Sequence, residues 1–365
     1  MMSKDNPQVS TKTILILQGG SAFGAYECGV YQALAPHLDN LAVVAGTSIG
    51  AINASLIAKH YTDEDHGVAA LIRFWTEVMA TPSLPFFPGL GVWQHSSAVW
   101  SNLVFGHPRL FMPQPWSFLA PALATSFYST QAMEQTLDDY FGSYDQQGPG
   151  PRLIVTALNV ETGELEPFDS WQKTITPAHV VASASLPPGF PAKEVGRQYY
   201  WDGGLWSNTP LPEVLKALQA HPAEEPAPAY QVYIVDVFPR RAPLPQTSLE
   251  VAQRMADMIF ADKTAYDKKT AEWVNEYIDL VLMLQRLDRE LPARIKDEIA
   301  RMVDNKKLTH YQEILDHKRS ILNITHIKRS RMWDEPNQSE LDFSLEWIKA
   351  LIAQGHGDAR RALEG

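Results

Sequence analysis

Apolar positions along the chain fall into short runs and helical stripes that alternate. TILILQ at 13–18 is an unbroken apolar run of strand length, and it passes directly into GGSAFGAYECGVYQAL. The glycines end the strand, and Ala25, Val30, Ala33 and Leu34 then recur at helical spacing. A second run, LAVVA at 41–45, leads through GTSIG into the helical stretch IGAINASLIAKHY, and a further helix is predicted over 67–80. Two consecutive strand–turn–helix units predict an α/β fold with a mainly parallel sheet covered on both faces.

The pattern breaks between 81 and 127, where Trp93, Trp100 and Trp116 stand among many prolines without a sustained period. So apolar a segment is not the composition of a disordered one. It reads either as a cap that makes an apolar channel over a site or as an insertion packed on the core. Regular structure resumes with a helix near 130–141, a strand at 152–160 turning at ETGE into LEPFDS, and a short helix at 179–186. YYWDGG at 199–204 reads as a strand end, a helix opens near Pro210, and YQVYIVDVF at 230–238 is a strong strand. Beyond about 245 the chain turns helical, with one strand-like run, ILNITHI at 321–327, and a final amphipathic helix at 339–354. The division expected is a catalytic core over 10–245 and a mainly helical extension over 246–365, with ILNITHI a candidate last strand of the same sheet.

Composition narrows the partners. Lys+Arg 31 against Asp+Glu 42 gives a net charge of -11, which argues against nucleic acid and weakens electrostatic docking on anionic lipid. A single cysteine, Cys28, forbids an internal disulfide. The N-terminus is polar, and no apolar run approaches the roughly 20 residues of a membrane span. The expectation is a cytoplasmic protein, with peripheral membrane contact left open and no oligomeric state specified.

The chemistry centres on Ser48. A serine between Gly46 and Gly50 at a strand-to-helix turn is how acyl-transfer enzymes expose a nucleophile, but it needs a base and donors for the developing oxyanion. In a Ser–Asp–His arrangement the histidine comes late in the chain, where His310, His317 and His326 stand. Yet Ser48 follows only the second predicted strand, too early for an α/β-hydrolase sheet, which places several strands ahead of the nucleophile. None of these histidines has an evident orienting acid. Asp202, at the end of a strand and before Gly203 and Gly204, is the other candidate base; the competing reading is a turn that only closes a hairpin. The glycine-rich turn at 19–24 presents backbone N–H groups at a helix start, suited to an oxyanion or a phosphate. A dinucleotide fingerprint fails there, because Ser21 replaces its second glycine and Asp39 precedes the second strand.

LILQGGSAFGAYECGVYQAL, AGTSIGAINASLIA, SASLPPGFPA and YWDGGLWSNTPL, in this order over about 13–215, resemble the patatin-like phospholipase family, specifically bacterial members with a helical C-terminal extension. The resemblance implies a three-layer α/β/α core and a Ser–Asp dyad, with Ser48 as nucleophile and Asp202 as base. It further implies an oxyanion hole from the N–H groups of Gly19, Gly20 and Ser21, with Gly24, Gly46, Gly50, Gly203 and Gly204 as supporting glycines. The substrates implied are lipid-like carboxylic esters, with no metal and no cofactor. The loop departs from the family's usual G-G-G-x-R-G: Ser21 stands at the third glycine and Phe23 at the arginine. Ser21 is strained if that position needs positive φ, the lost arginine weakens any preference for phosphate head groups, and Phe23 is expected near the mouth of a channel with Trp93 and Trp100. A transacylase, a hydroxyalkanoate oligomer hydrolase and a non-catalytic lipid-binding scaffold are the alternatives on the same fold.

Overall fold

The computed structural model describes residues 11–81, 102–219, 229–261, 320–330 and 340–364, apart from 39, 103, 146, 147 and 247, together with 294, 295, 297 and 301. Its strands are β1 (Thr11–Leu17), β2 (Leu41–Thr47), β3 (Met112–Pro113), β4 (Tyr128–Ser129), β5 (Arg152–Asn159), β6 (Leu165–Asp169), β7 (Lys193–Val195), β8 (Gln198–Asp202), β9 (Ala229–Asp236) and β10 (Ser320–Lys328). The helices are α1 (Gly24–Leu34), α2 (Ile49–His60), α3 (Val68–Arg73, continued by a π turn to Val78), α4 (Pro115–Leu119), α5 (Gln131–Tyr140), α6 (Pro177–Ser183), α7 (Leu211–Gln219), α8 (Ser248–Phe260) and α9 (Leu345–Glu364).

Eight strands form one sheet in the order β10-β9-β1-β2-β5-β8-β7, with β6 also pairing with β5. The five strands from β10 to β5 are mutually parallel, whereas β6, β7 and β8 pair antiparallel. Alternation along β1 explains why both faces are covered. Ile14 and Ile16 pack with Val43, Ala45, Ile154 and the α7 residues Leu211 and Val214. Leu15 and Leu17 face the other way, into a larger core built on α1, α2 and α9.

ILNITHI belongs to β10, which pairs in parallel with β9 at the edge of this sheet. The last helix differs from expectation at both ends. It begins at Leu345, after Asp342 accepts the Ser344 N–H and the Ser344 hydroxyl accepts the Trp347 N–H. It then runs through Gly355 and Gly357 to Glu364, despite the low helix propensity of glycine. Packing outweighs propensity here. A Cβ on Gly355 would lie 2.0 Å from the Tyr26 carbonyl oxygen, and one on Gly29 of α1 would lie 1.9 Å from the Ile352 carbonyl oxygen. Two glycines thus let α9 lie against α1, where the Tyr26 hydroxyl also donates to Asp358 at 2.9 Å. Trp93 and Trp100, and nearly all of the helix expected between 262 and 319, lie outside the described residues.

Candidate active site

Strand β5 acts as a ruler that brings Ser48 and Asp202 together. Along one edge it pairs in parallel with β2 up to Thr47↔Thr156, and along that same edge it pairs antiparallel with β8 from Ala157↔Asp202. β6 occupies the opposite edge. The residue just before Ser48 and the residue Asp202 therefore oppose consecutive positions of one strand, reached from opposite directions. The Thr47 and Thr156 hydroxyls, 2.8 Å apart, tie the end of β2 to β5.

The turn at Ser48 is sharp for an evident reason. Its backbone lies at φ 57 and ψ −124, a strained conformation for a residue with a Cβ. Its N–H is held by the Ser183 hydroxyl at 2.9 Å. Gly46 and Gly50 are required by proximity: a Cβ on Gly46 would meet the Gly50 carbonyl oxygen at 2.2 Å, and one on Gly50 the Leu17 carbonyl oxygen at 2.5 Å. The glycines of G-x-S-x-G therefore let α2 turn back against β1 and β2.

Asp202 is buried, accepts the Gly204 N–H at 2.7 Å, and is hydrogen-bonded by the Ser48 side chain. Burial pushes its pKa up from 3.8 to about 6, with the bonds from Ser48 and Gly204 acting in the opposite direction. A carboxyl so poised can accept a proton from a neighbouring hydroxyl near neutral pH.

The glycine-rich loop is arranged differently from expectation in two respects. Gly19 donates its N–H to Asn208 Oδ1 at 2.9 Å and accepts from Asn208 Nδ2 at 3.0 Å, so its N–H is not free for an oxyanion. Gly20 and Ser21 hold the N–H groups without a protein acceptor among the described residues. Ser21 does sit in the left-handed region, at φ 51, where the family's glycine would be relaxed. Phe23 is fully buried instead of at the mouth: it packs edge-on against Phe238 and lies beneath the Arg329 guanidinium at 3.8 Å. The positive charge absent from the loop is thus present in space, but neither Phe23 nor Arg329 lines the cavity.

That cavity has a volume of about 350 Å³ and is lined by Gly19, Gly20, Ser21, Ser48, Asp202 and Asn208 at its polar end. Leu110, Phe111, Tyr128, Met133, Phe190 and Phe343 supply much of the remainder, which is apolar. Of the segment 81–127, Leu110 and Phe111 thus border the cavity, while Trp116 is 78% exposed on α4. Among the described residues no group of three or more His, Cys, Asp or Glu side chains could hold a metal ion, and no helix is long and apolar enough to cross a membrane.

The sequence pattern of the patatin-like phospholipase family matches residues 15–215, more than half of the chain. The chain belongs to that family. Membership supports hydrolysis of lipid esters. No curated protein sequence matches it. Solved structures that resemble this patatin-like chain include VipD from Legionella pneumophila (13% identity, TM-score 0.39, 100% of this chain and 72% of that one). Human GIVD cytosolic phospholipase A2 (12%, 0.34, 61% of this chain and 42% of that one) and the type III effector ExoU (12%, 0.30, 98% and 54%) also resemble it. The chain spans about half of the length of the latter two.

Sequence reasoning missed Asn208 and Gln18. Gln18 is fully buried and bonds Thr209, Asp236 and the Val237 N–H, so with Asn208 on Gly19 two buried amides anchor the N-terminal end of the loop. The one signal was SNTP directly after DGG. Asn208→Ala removes both bonds to Gly19, and a third to the Phe260 carbonyl. The expected result is a fall in kcat of about 10–100-fold with KM changed much less, since a shift of about 1 Å in a catalytic donor costs on that order. Wild-type kcat in this variant would show that the clamp has no catalytic consequence.

Proposed function

We propose that this protein is a serine acyl hydrolase that cleaves carboxylic esters of lipid-like substrates through an acyl-enzyme on Ser48. The observation that carries the reading is the meeting of a strained, partly exposed Ser48 with a buried, basic-shifted Asp202 at the polar end of an apolar cavity. The apolar wall would hold the acyl chain with the ester carbonyl beside Ser48. Asp202 takes the hydroxyl proton as Oγ attacks the carbonyl carbon, and the N–H groups of Gly20 and Ser21 receive the charge that develops on oxygen. Collapse breaks the bond to the alcohol oxygen, which leaves with the proton held by Asp202. A water then gives its proton to Asp202, attacks the acyl carbon, and the acid departs as Ser48 recovers its proton. No step draws on a metal or cofactor. A cytoplasmic protein that meets lipid only peripherally fits the single, free Cys28 and the net charge of -11.

The test is a panel of esters and lipids together with an alkyl fluorophosphonate, followed by peptide mass analysis. Covalent labelling confined to Ser48, with turnover of at least one ester class, is the expected outcome. Labelling elsewhere, or turnover undiminished in fully labelled protein, would overturn the assignment.

A further inference from the structure

Residues from well beyond the family-matched segment complete the cavity. Glu340, Leu341 and Phe343 line it, although the match to the family ends at residue 215. The stretch is held from several sides: the Glu340 carbonyl accepts the Ala22 N–H at 2.9 Å, the Leu341 carbonyl accepts from Asn102, and the Phe343 carbonyl accepts the Thr81 N–H at 2.8 Å. The Phe343 ring also meets His107 edge-on. Ala22 directly follows Ser21, so Glu340 enters the cavity wall beside the loop that holds the free N–H groups.

The charge at that wall is one-sided. Asp202 and Glu340 are the only Asp, Glu, Lys, Arg or His residues among the described residues that line the cavity. Glu340 Oε2 is inaccessible to solvent and has no hydrogen-bond partner among the described residues. Burial raises the pKa of this carboxyl, its own N–H and Gln253 draw it down, Asp257 raises it, and Arg329 lowers it. The guanidiniums of Arg329 and Arg254 are committed to other groups. Arg329 donates to the Val237 carbonyl and covers Phe23, and Arg254 donates to the carbonyls of Pro239 and Arg240. Among the described residues of the cavity wall, an anionic group entering beside the loop would therefore meet a carboxyl and no cation.

We infer that Glu340 is a specificity-determining residue that makes this cavity take esters of uncharged alcohols and reject anionic phosphate esters. The inference rests on the acyl-hydrolase reading above and adds the substrate class to it. Rejection by a like charge is a recurrent route to selectivity, because like charges brought together at a desolvated site repel strongly.

The deciding comparison uses two substrates that differ by one phosphate, 1-lauroylglycerol and 1-lauroylglycerol 3-phosphate, at pH 8. Wild type is expected to favour the uncharged ester by about 100-fold in kcat/KM, and Glu340→Gln to shrink that ratio about tenfold, chiefly through a lower KM for the phosphate ester. Glu340→Lys should shrink it further. A parallel arm needs no turnover: displacement of an apolar fluorophore by dodecanol against dodecanoate should favour the alcohol in wild type and less so in Glu340→Gln, with thermal melting confirming the fold of each. An unchanged ratio in Glu340→Gln in both arms, or a wild-type preference for the phosphate ester, would overturn the inference. Absence of turnover with Glu340-dependent discrimination between dodecanol and dodecanoate would leave it standing and overturn the hydrolase reading.

Discussion

Ser48→Ala lowers ester turnover by about 10⁴-fold or more, the scale on which removal of a nucleophile acts in serine hydrolases. The substitution leaves the bond from the Ser48 N–H to Ser183 in place but removes the side-chain bond to the buried Asp202, so the protein should lose about 1–3 kcal/mol at pH 7.5 and remain folded. Ser48→Gly separates chemistry from strain. A glycine adopts φ 57 and ψ −124 without a Cβ penalty, so this variant should be as inactive as Ser48→Ala, which lacks the same hydroxyl, yet more stable than it by about 1 kcal/mol or more. Titrimetric assay on the best ester and thermal unfolding at pH 7.5 measure both quantities. Turnover within tenfold of wild type in Ser48→Ala would remove Ser48 from the mechanism, and a Ser48→Gly less stable than Ser48→Ala would remove the argument that the turn stores strain.

What was legible in the sequence was what is local. TILILQ, LAVVA and the glycine turns after them encode strand, turn and helix within a dozen residues, and the parallel sheet follows from their repetition. G-x-S-x-G was legible because both glycines are demanded by backbone contacts around one turn. The contacts that refine the site join residues far apart, and nothing local marks them. Asn208 reaches Gly19 across 189 positions, which turns an expected oxyanion donor into a structural anchor. Phe23 stands where the family carries arginine, a position that suggests the mouth, but its side chain follows the packing of Phe238 and Arg329 into the core. Glu340 gave no signal, since its part in the site depends on the whole path through β10 that returns it to Ala22. The long reach of α9 was hidden by Gly355, which reads as a helix stop in isolation and serves as a close-packing residue against Tyr26.

Asp202→Asn is the second large effect, and it should move activity and stability in opposite directions. An amide keeps the shape and an oxygen that can accept the Gly204 N–H, but it cannot take the Ser48 proton. A fall in kcat of about 10³–10⁴-fold is expected, the size seen when the acidic member of a serine triad loses its charge. In wild type the carboxyl must be ionised to act, so kcat/KM should rise with pH through about 6, and that limb should vanish from the residual activity of the variant. The stability argument has the reverse sign. With the folded-state pKa raised from 3.8 to about 6, the native state holds its proton more tightly than the unfolded chain does. The stability this supplies is complete below pH 3.8 and is lost as pH rises through about 6, which leaves a buried carboxylate that destabilises the protein at neutral pH by up to about 3 kcal/mol. Asn carries no such charge, so Asp202→Asn should be more stable than wild type at pH 7.5, by about 1–3 kcal/mol, and should lose that advantage towards pH 4. Denaturant unfolding at the two pH values decides it. A variant that keeps its activity sends the search for the base to another residue, and one that is less stable at pH 7.5 shows that the Ser48 and Gly204 bonds outweigh the cost of burying the charge.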